Sequence, residues 1–223
     1  MQRPRVIVNC AMSADGKVAL PSGHQLRISC DEDMARVHEL RAASDAVLVG
    51  VGTVLMDDPK LTVSEKYVHG ARQPLRVVLD GSCQTPPTAL VANAAARTVI
   101  VAKKGCVKPF PSGTVEVVEC PVDVDGLLDL GWVLGELARR GVRQLLVEGG
   151  GTVIWSFIRQ RLVDDVFVYV GPMVVGGVGT PTMAGGRGVG SATEVVGLSV
   201  VEVRRLGPGV LVHYRPLGSK NLP

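Results

Sequence analysis

The chain has 223 residues, of which 46% are hydrophobic and 20% charged, and its formal net charge is +3. These values predict one globular domain spanning residues 1–223. The small net charge argues against nucleic-acid binding, and no apolar stretch is long enough for a membrane span. We expect no targeting segment, because Met1–Arg5 leads straight into a short apolar run followed by polar residues.

The chain has five cysteines, which are Cys10, Cys30, Cys83, Cys106 and Cys120. Their number is odd, and no two of them form a C-x-x-C pair. This pattern predicts a cytoplasmic protein with reduced thiols and not a disulfide framework. The four histidines have no spacing that suits metal ligands, so we predict no metal.

The first predicted strand is Arg5–Cys10, a largely apolar run that we expect to be buried on both faces. A polar turn follows at residues 11–17. Ser29 or Asp31 then caps a helix whose apolar residues recur with a period of about 3.6, at Met34, Val37, Leu40 and Ala43.

A second buried strand, Asp45–Gly50, leads into a short glycine-containing segment with Thr53 and Asp57. These two residues are four apart, so they share one face if the segment is helical. In the alternative interpretation, Thr53 is a helix N-cap and Asp57 is merely solvated.

The remaining elements alternate in type until the last third of the chain. They are the strands Arg76–Leu79, Thr98–Val101 and Val115–Val118, a helix over Leu127–Arg140, a strand over Val142–Glu148, a helix ending near Arg161, the strand Asp165–Val170, a glycine-rich loop over 171–190, and a hairpin of Leu198–Leu206 with Val210–Arg215. This order predicts an α/β fold with a mixed, mostly parallel sheet flanked by helices and a C-terminal antiparallel hairpin.

The stretch from Leu145 to Val153 is the strongest candidate for a binding turn. Three apolar residues end in Glu148, three glycines follow, and Thr152 opens an apolar segment, which is the order of a strand, a tight turn and a helix. Glycines allow close approach of a ligand, and the N–H groups of a helix N-terminus attract anions such as a nucleotide diphosphate. An ordinary strand-to-helix turn is the alternative.

Several enzyme classes are excluded because their motifs are missing. The chain has no P-loop sequence and no G-x-S-x-G elbow, and its Gly50-x-Gly52 lacks the third glycine of a Rossmann fingerprint. The paired motifs of zinc deaminases are also absent.

With these stretches in view, the chain resembles the reductases of riboflavin biosynthesis from end to end. The matching features are Ala11-Met-Ser-x-Asp15-Gly16-Lys17, Ile28-Ser29, Leu40-Arg41, Gly50-x-Gly-Thr53-Val-Leu-x-Asp57-Asp58-Pro59-x-Leu61-Thr62, Arg76-Val-Val-x-Asp80 and Glu148-Gly-Gly-Gly-Thr152. The resemblance is to the stand-alone reductase without the fused deaminase domain. It implies a dihydrofolate-reductase-like fold and NADPH-dependent reduction of 2,5-diamino-6-ribosylamino-4(3H)-pyrimidinone 5′-phosphate.

Matching positions imply two sets of binding residues. The set for NADPH is Ala11, Thr53, Asp57, Gly81, Ser82, Gly149, Gly150, Gly151, Thr152 and Val153. The set for the pyrimidine ribosyl phosphate is Arg27, Arg41, Leu61 and Glu148. Arg27 stands where bacterial relatives have a tryptophan near the cofactor, and Ser64 stands where they have an arginine for the substrate. Glu148 is also the candidate catalytic residue.

Further expectations concern cofactor choice and assembly. We predict NADPH as the preferred cofactor, with NADH possible, because Lys103 or Lys104 can supply a cation for the 2′-phosphate. The apolar C-terminal hairpin predicts a homodimer, since an exposed apolar edge favours pairing.

Two other functions remain open from the sequence. One is a reductase of the same fold acting on a pterin such as dihydrofolate, with Asp31 or Asp33 as the carboxylate that protonates the ring. The other is a non-catalytic nucleotide-binding module, for which the glycine turns alone suffice.

Overall fold

The computed structural model describes residues 2–106, 108–110 and 113–218. Within them lie nine strands and four α-helices. In chain order they are β1 (Arg5–Ser13), α1 (Asp31–Ala43), β2 (Ala46–Gly50), α2 (Val51–Asp57), β3 (Leu75–Leu79), β4 (Thr98–Lys103), β5 (Val115–Cys120), α3 (Leu130–Arg139), β6 (Gln144–Gly149), α4 (Gly151–Arg159), β7 (Asp165–Gly171), β8 (Leu198–Leu206) and β9 (Gly209–Pro216). None of the helices in the described part of the chain is long and apolar enough to cross a membrane.

The chain divides into two compact units. Unit 1 comprises the described residues of 1–5 and 38–146, and unit 2 those of 6–37 and 147–223. The single domain over residues 1–223 stays a prediction.

Unit 1 contains a parallel sheet with the strand order β5-β4-β3-β2. All five residues of β2 are buried, as are four of the five residues of β3. Such runs of mainly Val and Leu are typical of parallel strands covered on both faces, and Arg76, the one charged residue among them, is also completely buried. The apolar runs therefore predicted the parallel strands of this unit correctly.

Unit 2 contains the strands β1, β7, β9 and β8 in that order. β1 pairs with β7 in parallel, and β9 pairs antiparallel with both β7 and β8. The sheet is therefore mixed, and the predicted C-terminal hairpin is confirmed. One apolar cluster of this unit is built on the buried residues Ile28, Tyr169 and Leu211.

A buried polar network also lies in unit 2. Asp33, which is completely buried, accepts a hydrogen bond from the hydroxyl of Ser29 (2.6 Å) and from Nε of Arg36 (2.8 Å). Arg36 also donates to the side chain of Asn9 on β1 (2.7 Å). The network ties α1 to β1, and pairing of Arg36 with Asp33 offsets part of the cost of burying both charges.

Several predicted boundaries need correction. α1 is preceded by Cys30, whose Sγ accepts from the N–H of Asp33 (3.4 Å), so neither Ser29 nor Asp31 is its cap. α2 begins at Val51, which places Thr53 inside the helix and makes the N-cap interpretation wrong. α3 begins at Leu130 and not at Leu127, because the Asp129 carboxylate accepts from the N–H of Trp132 (3.0 Å) and caps the helix there.

The prediction of reduced thiols is wrong for one pair of cysteines. Cys83 and Cys106 form a disulfide, with their Cα atoms 5.9 Å apart. The two residues follow β3 and β4, which are neighbouring parallel strands, and spacing along the chain does not reveal this pairing. Cys10, Cys30 and Cys120 are free.

Candidate functional site

The predicted turn after β6 has the expected strand, turn and helix. Glu148 and Gly149 end the strand, Gly150 has φ +82° and ψ 106°, and α4 begins at Gly151. A non-glycine residue is strained at this φ, so Gly150 is required for the backbone path. No side chain caps the helix at Gly150, which is consistent with an N-terminus able to meet an anion.

Gly151 is needed for a different reason. A Cβ atom at this position would lie 2.9 Å from the carbonyl oxygen of Thr182 and 3.1 Å from the nitrogen of Gly185. The N–H of Gly185 donates to the Gly151 carbonyl (3.0 Å). The third glycine therefore lets the loop after β7 pack on the start of α4. Thr152 is exposed and Val153 is half-buried.

The same glycine-rich loop is also held at its beginning. The Asp15 carboxylate accepts hydrogen bonds from the N–H groups of Val175 (3.1 Å) and Gly176 (2.7 Å), and from the Ser13 hydroxyl (2.6 Å). These bonds stabilise the charged form and lower the pKa of Asp15 to about 2, with the Ser13 hydroxyl as the largest cause. Asp15 thus connects the turn after β1 to the loop after β7. Ala11 lies on β1, two residues before the end of the strand.

Arg27 and the two aspartates of α1 lie in contrasting surroundings. The guanidinium of Arg27 pairs with Asp31 (2.6 Å), and both side chains are more than 70% exposed. Asp33, in contrast, is buried and already accepts from Ser29 and Arg36. Neither carboxylate is therefore presented as a free proton donor for a pterin ring.

In unit 1, Thr53 and Asp57 both lie on α2, four residues apart and half-buried. The chain then leaves the helix through a strained path, with positive φ at Asp58 (39°) and at Leu61 (51°). A left-handed conformation is costly for leucine, and such strain persists only where the surroundings impose it. Leu61 is 1% exposed, so its position is fixed by packing.

Arg41 approaches this same segment from α1. Its Nη1 donates to the carbonyl of Thr62, the residue after Leu61 (3.1 Å). The structure thus brings Arg41 and Leu61, both predicted for the substrate, to one place in unit 1. This juxtaposition was not evident from their separation in sequence.

The turn after β3 is organised by Asp80. This carboxylate is completely buried and accepts three hydrogen bonds, from the N–H of Gln84 (2.9 Å) and from the N–H and hydroxyl of Thr85 (both 2.6 Å). Gly81 and Ser82 lie inside the turn that these bonds close. β2 and β3 are parallel, with Gly50 in register with Leu79, so this turn and α2 follow neighbouring strands.

Two lysines lie against the Asp80 turn. The aliphatic stem of Lys103 covers Gly81, since a Cβ atom at Gly81 would be 3.2 Å from Cε of Lys103. Nζ of Lys108 donates to the carbonyl of Cys83 (3.1 Å). Sequence reasoning identified Lys103 but missed Lys108, which no motif marks.

The predicted residues thus form two sets. Thr53, Asp57, Gly81, Ser82, Arg41 and Leu61 lie in unit 1, and Ala11, Arg27 and residues 148–153 lie in unit 2. In unit 2, Ala11 is on β1 and the glycine turn ends β6, which neighbours β1 in the sheet. The described residues contain no group of three or more His, Cys, Asp or Glu side chains able to hold a metal ion.

Comparison with known proteins gives consistent matches over nearly the whole chain. The model of the RibD C-terminal domain matches residues 4–212. The chain is 41% identical over 220 residues to the 2,5-diamino-6-ribosylamino-4(3H)-pyrimidinone 5′-phosphate reductase of Archaeoglobus fulgidus, covering 96% of this chain and 98% of that one. The reductase of the same name from Methanothermobacter thermautotrophicus is 38% identical, with 97% and 100% covered.

Solved structures give the same result for the fold. A Thermotoga maritima diaminohydroxyphosphoribosylaminopyrimidine deaminase/5-amino-6-(5-phosphoribosylamino)uracil reductase matches with a TM-score of 0.81 and 29% identity over 96% of this chain. This chain spans 57% of that protein. The riboflavin biosynthesis reductase of Saccharomyces cerevisiae, at 19% identity and a TM-score of 0.74, shares the fold over 96% of this chain and 90% of its own. The predicted dihydrofolate-reductase-like fold is confirmed.

Proposed function

This chain belongs to the RibD C-terminal domain family, and we propose that it reduces 2,5-diamino-6-ribosylamino-4(3H)-pyrimidinone 5′-phosphate, with NADPH as the reductant, to the ribitylamino product. The observation that carries this proposal is the match to two reductases of that name across 98% and 100% of their lengths. The enzyme is an oxidoreductase of riboflavin biosynthesis. We place it in the cytoplasm and treat residues 1–223 as one reductase domain.

The residues of the chain fit a dinucleotide phosphate. Gly150 has a positive φ immediately before α4, where backbone N–H groups suit a diphosphate. Ala11, Thr53, Asp57 and the turn of Gly149–Val153 hold the cofactor by the family resemblance. Gly81 and Ser82 take its adenosine end, beside Lys103 and Lys108. When bound, NADPH supplies the hydride that reduces the ribosyl anomeric carbon.

The preference for NADPH over NADH follows from those two lysines. The stem of Lys103 is fixed over Gly81, and the ammonium of Lys108 is fixed on the Cys83 carbonyl. Two positive charges beside the Gly81–Ser82 turn favour a ribose that carries a 2′-phosphate. NADH, which lacks this phosphate, remains a weaker cofactor.

The substrate is held by Arg27, Arg41, Leu61 and Glu148 in this proposal. Arg41 and Leu61 meet at the strained segment after α2, where the packing of Leu61 fixes the backbone that the Arg41 cation contacts. Glu148 is half-buried at the end of β6, next to the cofactor turn. Its carboxyl group assists opening of the ribosyl ring by donating a proton to the ring oxygen.

A homodimer accounts for an exposed apolar strand in unit 2. β8 lies at the end of the β1-β7-β9-β8 order, and Val200, Val201 and Val203 on it are 61%, 46% and 59% exposed. An apolar edge strand of this kind favours aggregation unless it is covered. A second copy of the chain is the proposed cover, and light scattering that gives the monomer mass at micromolar concentration would contradict it.

The function is tested by mixing purified protein, NADPH and the ribosylaminopyrimidine phosphate and following absorbance and product mass. We expect oxidation of NADPH and a product heavier than the substrate by two hydrogens. Dihydrofolate in place of the pyrimidine is the control, for which we expect no oxidation. Binding of NADPH without turnover of either compound would favour the non-catalytic module.

A further inference from the structure

The loops after β3 and β4 contain matching turns. The N–H of Cys83 donates to the carbonyl of Asp80, and the N–H of Cys106 donates to the carbonyl of Lys103, both at 3.3 Å. Each cysteine thus lies three residues beyond its acceptor, which is the first residue after β3 in one case and the last residue of β4 in the other. The strands are parallel neighbours with Leu79 in register with Val101, so the two turns lie side by side.

Three contacts connect these turns to each other. They are the Cys83–Cys106 disulfide, the stem of Lys103 over Gly81, and the hydrogen bond from Lys108 to the Cys83 carbonyl. Each turn also has its own anchor. Asp80 closes the first one, and Glu119 accepts from the N–H of Gly105 in the second (2.9 Å). The disulfide therefore sets where one turn lies relative to the other, more than whether either turn forms.

The position of the disulfide is functionally significant if the proposed cofactor site is correct. Ser82 is adjacent to Cys83, and Lys103 is three residues before Cys106. The predicted adenosine-binding residues and a cation for the 2′-phosphate thus lie on opposite sides of one covalent bond. Both cysteines are half-buried, so a small reductant can reach them.

We propose that Cys83 and Cys106 are positioning residues that hold the lysines against the Gly81–Ser82 turn, and that their bridge raises the preference for NADPH over NADH. The proposal rests on the proposed function. A dithiol reductant opens the bridge by transferring two electrons and two protons: the Cys83–Cys106 S–S bond breaks, two thiols form, and the dithiol becomes a disulfide. In the opened form the loops separate and the 2′-phosphate loses a fixed cation.

Two of the three free cysteines, Cys10 and Cys120, do not compete in this exchange. Burial raises the pKa of Cys10 to about 12 and that of Cys120 to about 11, so both remain thiols. The thiolate is the attacking species in disulfide exchange, and these two groups supply almost none at neutral pH. Cys120 is therefore a suitable control position: its thiol donates to the carbonyls of Pro121 and Asp129, and a serine keeps a donor there.

The test first counts thiols and then compares cofactors. Protein purified without reductant is denatured, alkylated with iodoacetamide and weighed, and we expect three modified cysteines before dithiothreitol treatment and five after it. NADPH and NADH are then titrated by fluorescence against native wild type, reduced wild type, Cys106→Ser, Cys83→Ser and Cys120→Ser. We expect the NADPH dissociation constant to rise about tenfold in the reduced protein and in the first two variants, with NADH little changed. Cys120→Ser should behave as native wild type.

Five modified cysteines in the untreated protein would overturn the proposal, because no bridge would exist. A bridged protein whose NADPH-to-NADH ratio is the same before and after reduction would overturn the positioning role alone. If neither cofactor binds in any form, the proposed function fails and this role fails with it. Reduction of the wild type needs no substitution, so a misfolded variant does not prevent the test.

Discussion

Replacing Asp80 with asparagine should loosen the turn that carries Gly81 and Ser82. The wild-type carboxylate accepts three hydrogen bonds in a site where both Asp80 and Thr85 are completely buried. An asparagine can keep its amide oxygen towards the two Thr85 donors. Its NH₂ group must then face the N–H of Gln84, and two donors repel each other.

The magnitude follows from this count. One hydrogen bond is lost, at about 1–2 kcal/mol, and two charge-assisted bonds become neutral, at about 1 kcal/mol each. The total is about 3–4 kcal/mol of unfolding free energy. For a chain of this size each kcal/mol shifts the melting temperature by about 2–4 °C, so Asp80→Asn should melt about 6–16 °C lower.

Thermal unfolding followed by circular dichroism measures this shift, and fluorescence titration measures the accompanying loss of NADPH affinity. Asp123→Asn is the matched control: this carboxylate accepts from the N–H groups of Asp125 and Leu127 (both 2.9 Å), but at an exposed turn where water replaces the lost bond. We expect little change there. Equal melting temperatures for Asp80→Asn and wild type would refute the view that this buried carboxylate organises the turn.

Three further substitutions test other parts of the site. Glu148→Gln should lower turnover or raise the substrate KM with NADPH affinity unchanged, and an acid limb of the pH–rate profile identical to wild type would rule out a general-acid role. Gly150→Val should abolish NADPH binding, because a β-branched residue resists φ +82° and obstructs the turn. Its control is Gly135→Ala in α3, where the new Cβ would contact only the Arg139 side chain, at 3.8 Å. Circular dichroism checks that both variants fold. Asp15→Asn should lower the urea midpoint of unfolding at neutral pH. Folding lowers the pKa of Asp15 from 3.8 to about 2, so the ionised carboxylate stabilises the folded protein fully above pH ~4. This contribution is lost as the pH falls through 2, where the variant and the wild type should unfold at the same urea concentration. A difference that persists at pH 2 would place the effect elsewhere.

The strands β2 and β3 were predictable because their burial is nearly complete. β2 and β3 are runs of Val and Leu between polar or glycine turns, and such runs have few alternatives to a buried strand. The hairpin of β8 and β9 was equally clear from Gly207-Pro208-Gly209. Helix boundaries were less accurate, since the cap at Asp129 depends on the turn before it, which brings Val122 beside Leu128.

The backbone of the candidate site was predictable where local chemistry defines it, and its long-range contacts were not. Gly150 was identified from three consecutive glycines after a strand, and its positive φ agrees with that prediction. The contact of Gly185 on Gly151 depends on a loop some thirty residues further along, and nothing in the glycine turn encodes it. The Cys83–Cys106 disulfide was missed for the same reason: the two residues meet because β3 and β4 are neighbours in the sheet, which their spacing in the sequence does not show.

The division of the chain between the two units has a consequence for its synthesis. Most of unit 1 is one continuous stretch, residues 38–146, whereas unit 2 is assembled from segments on either side of it. β1 contains the fully buried Val6 and Val8, and the N–H of Val6 is bonded to Asp164, 158 residues later. At about 5–20 residues per second, a ribosome needs roughly 8–30 s to make that partner. During this interval the apolar residues of β1 lack that partner, which makes β1 a natural target for a chaperone that binds extended segments. In the described part of residues 38–146, the strands β2, β3, β4 and β5 have by then all been made.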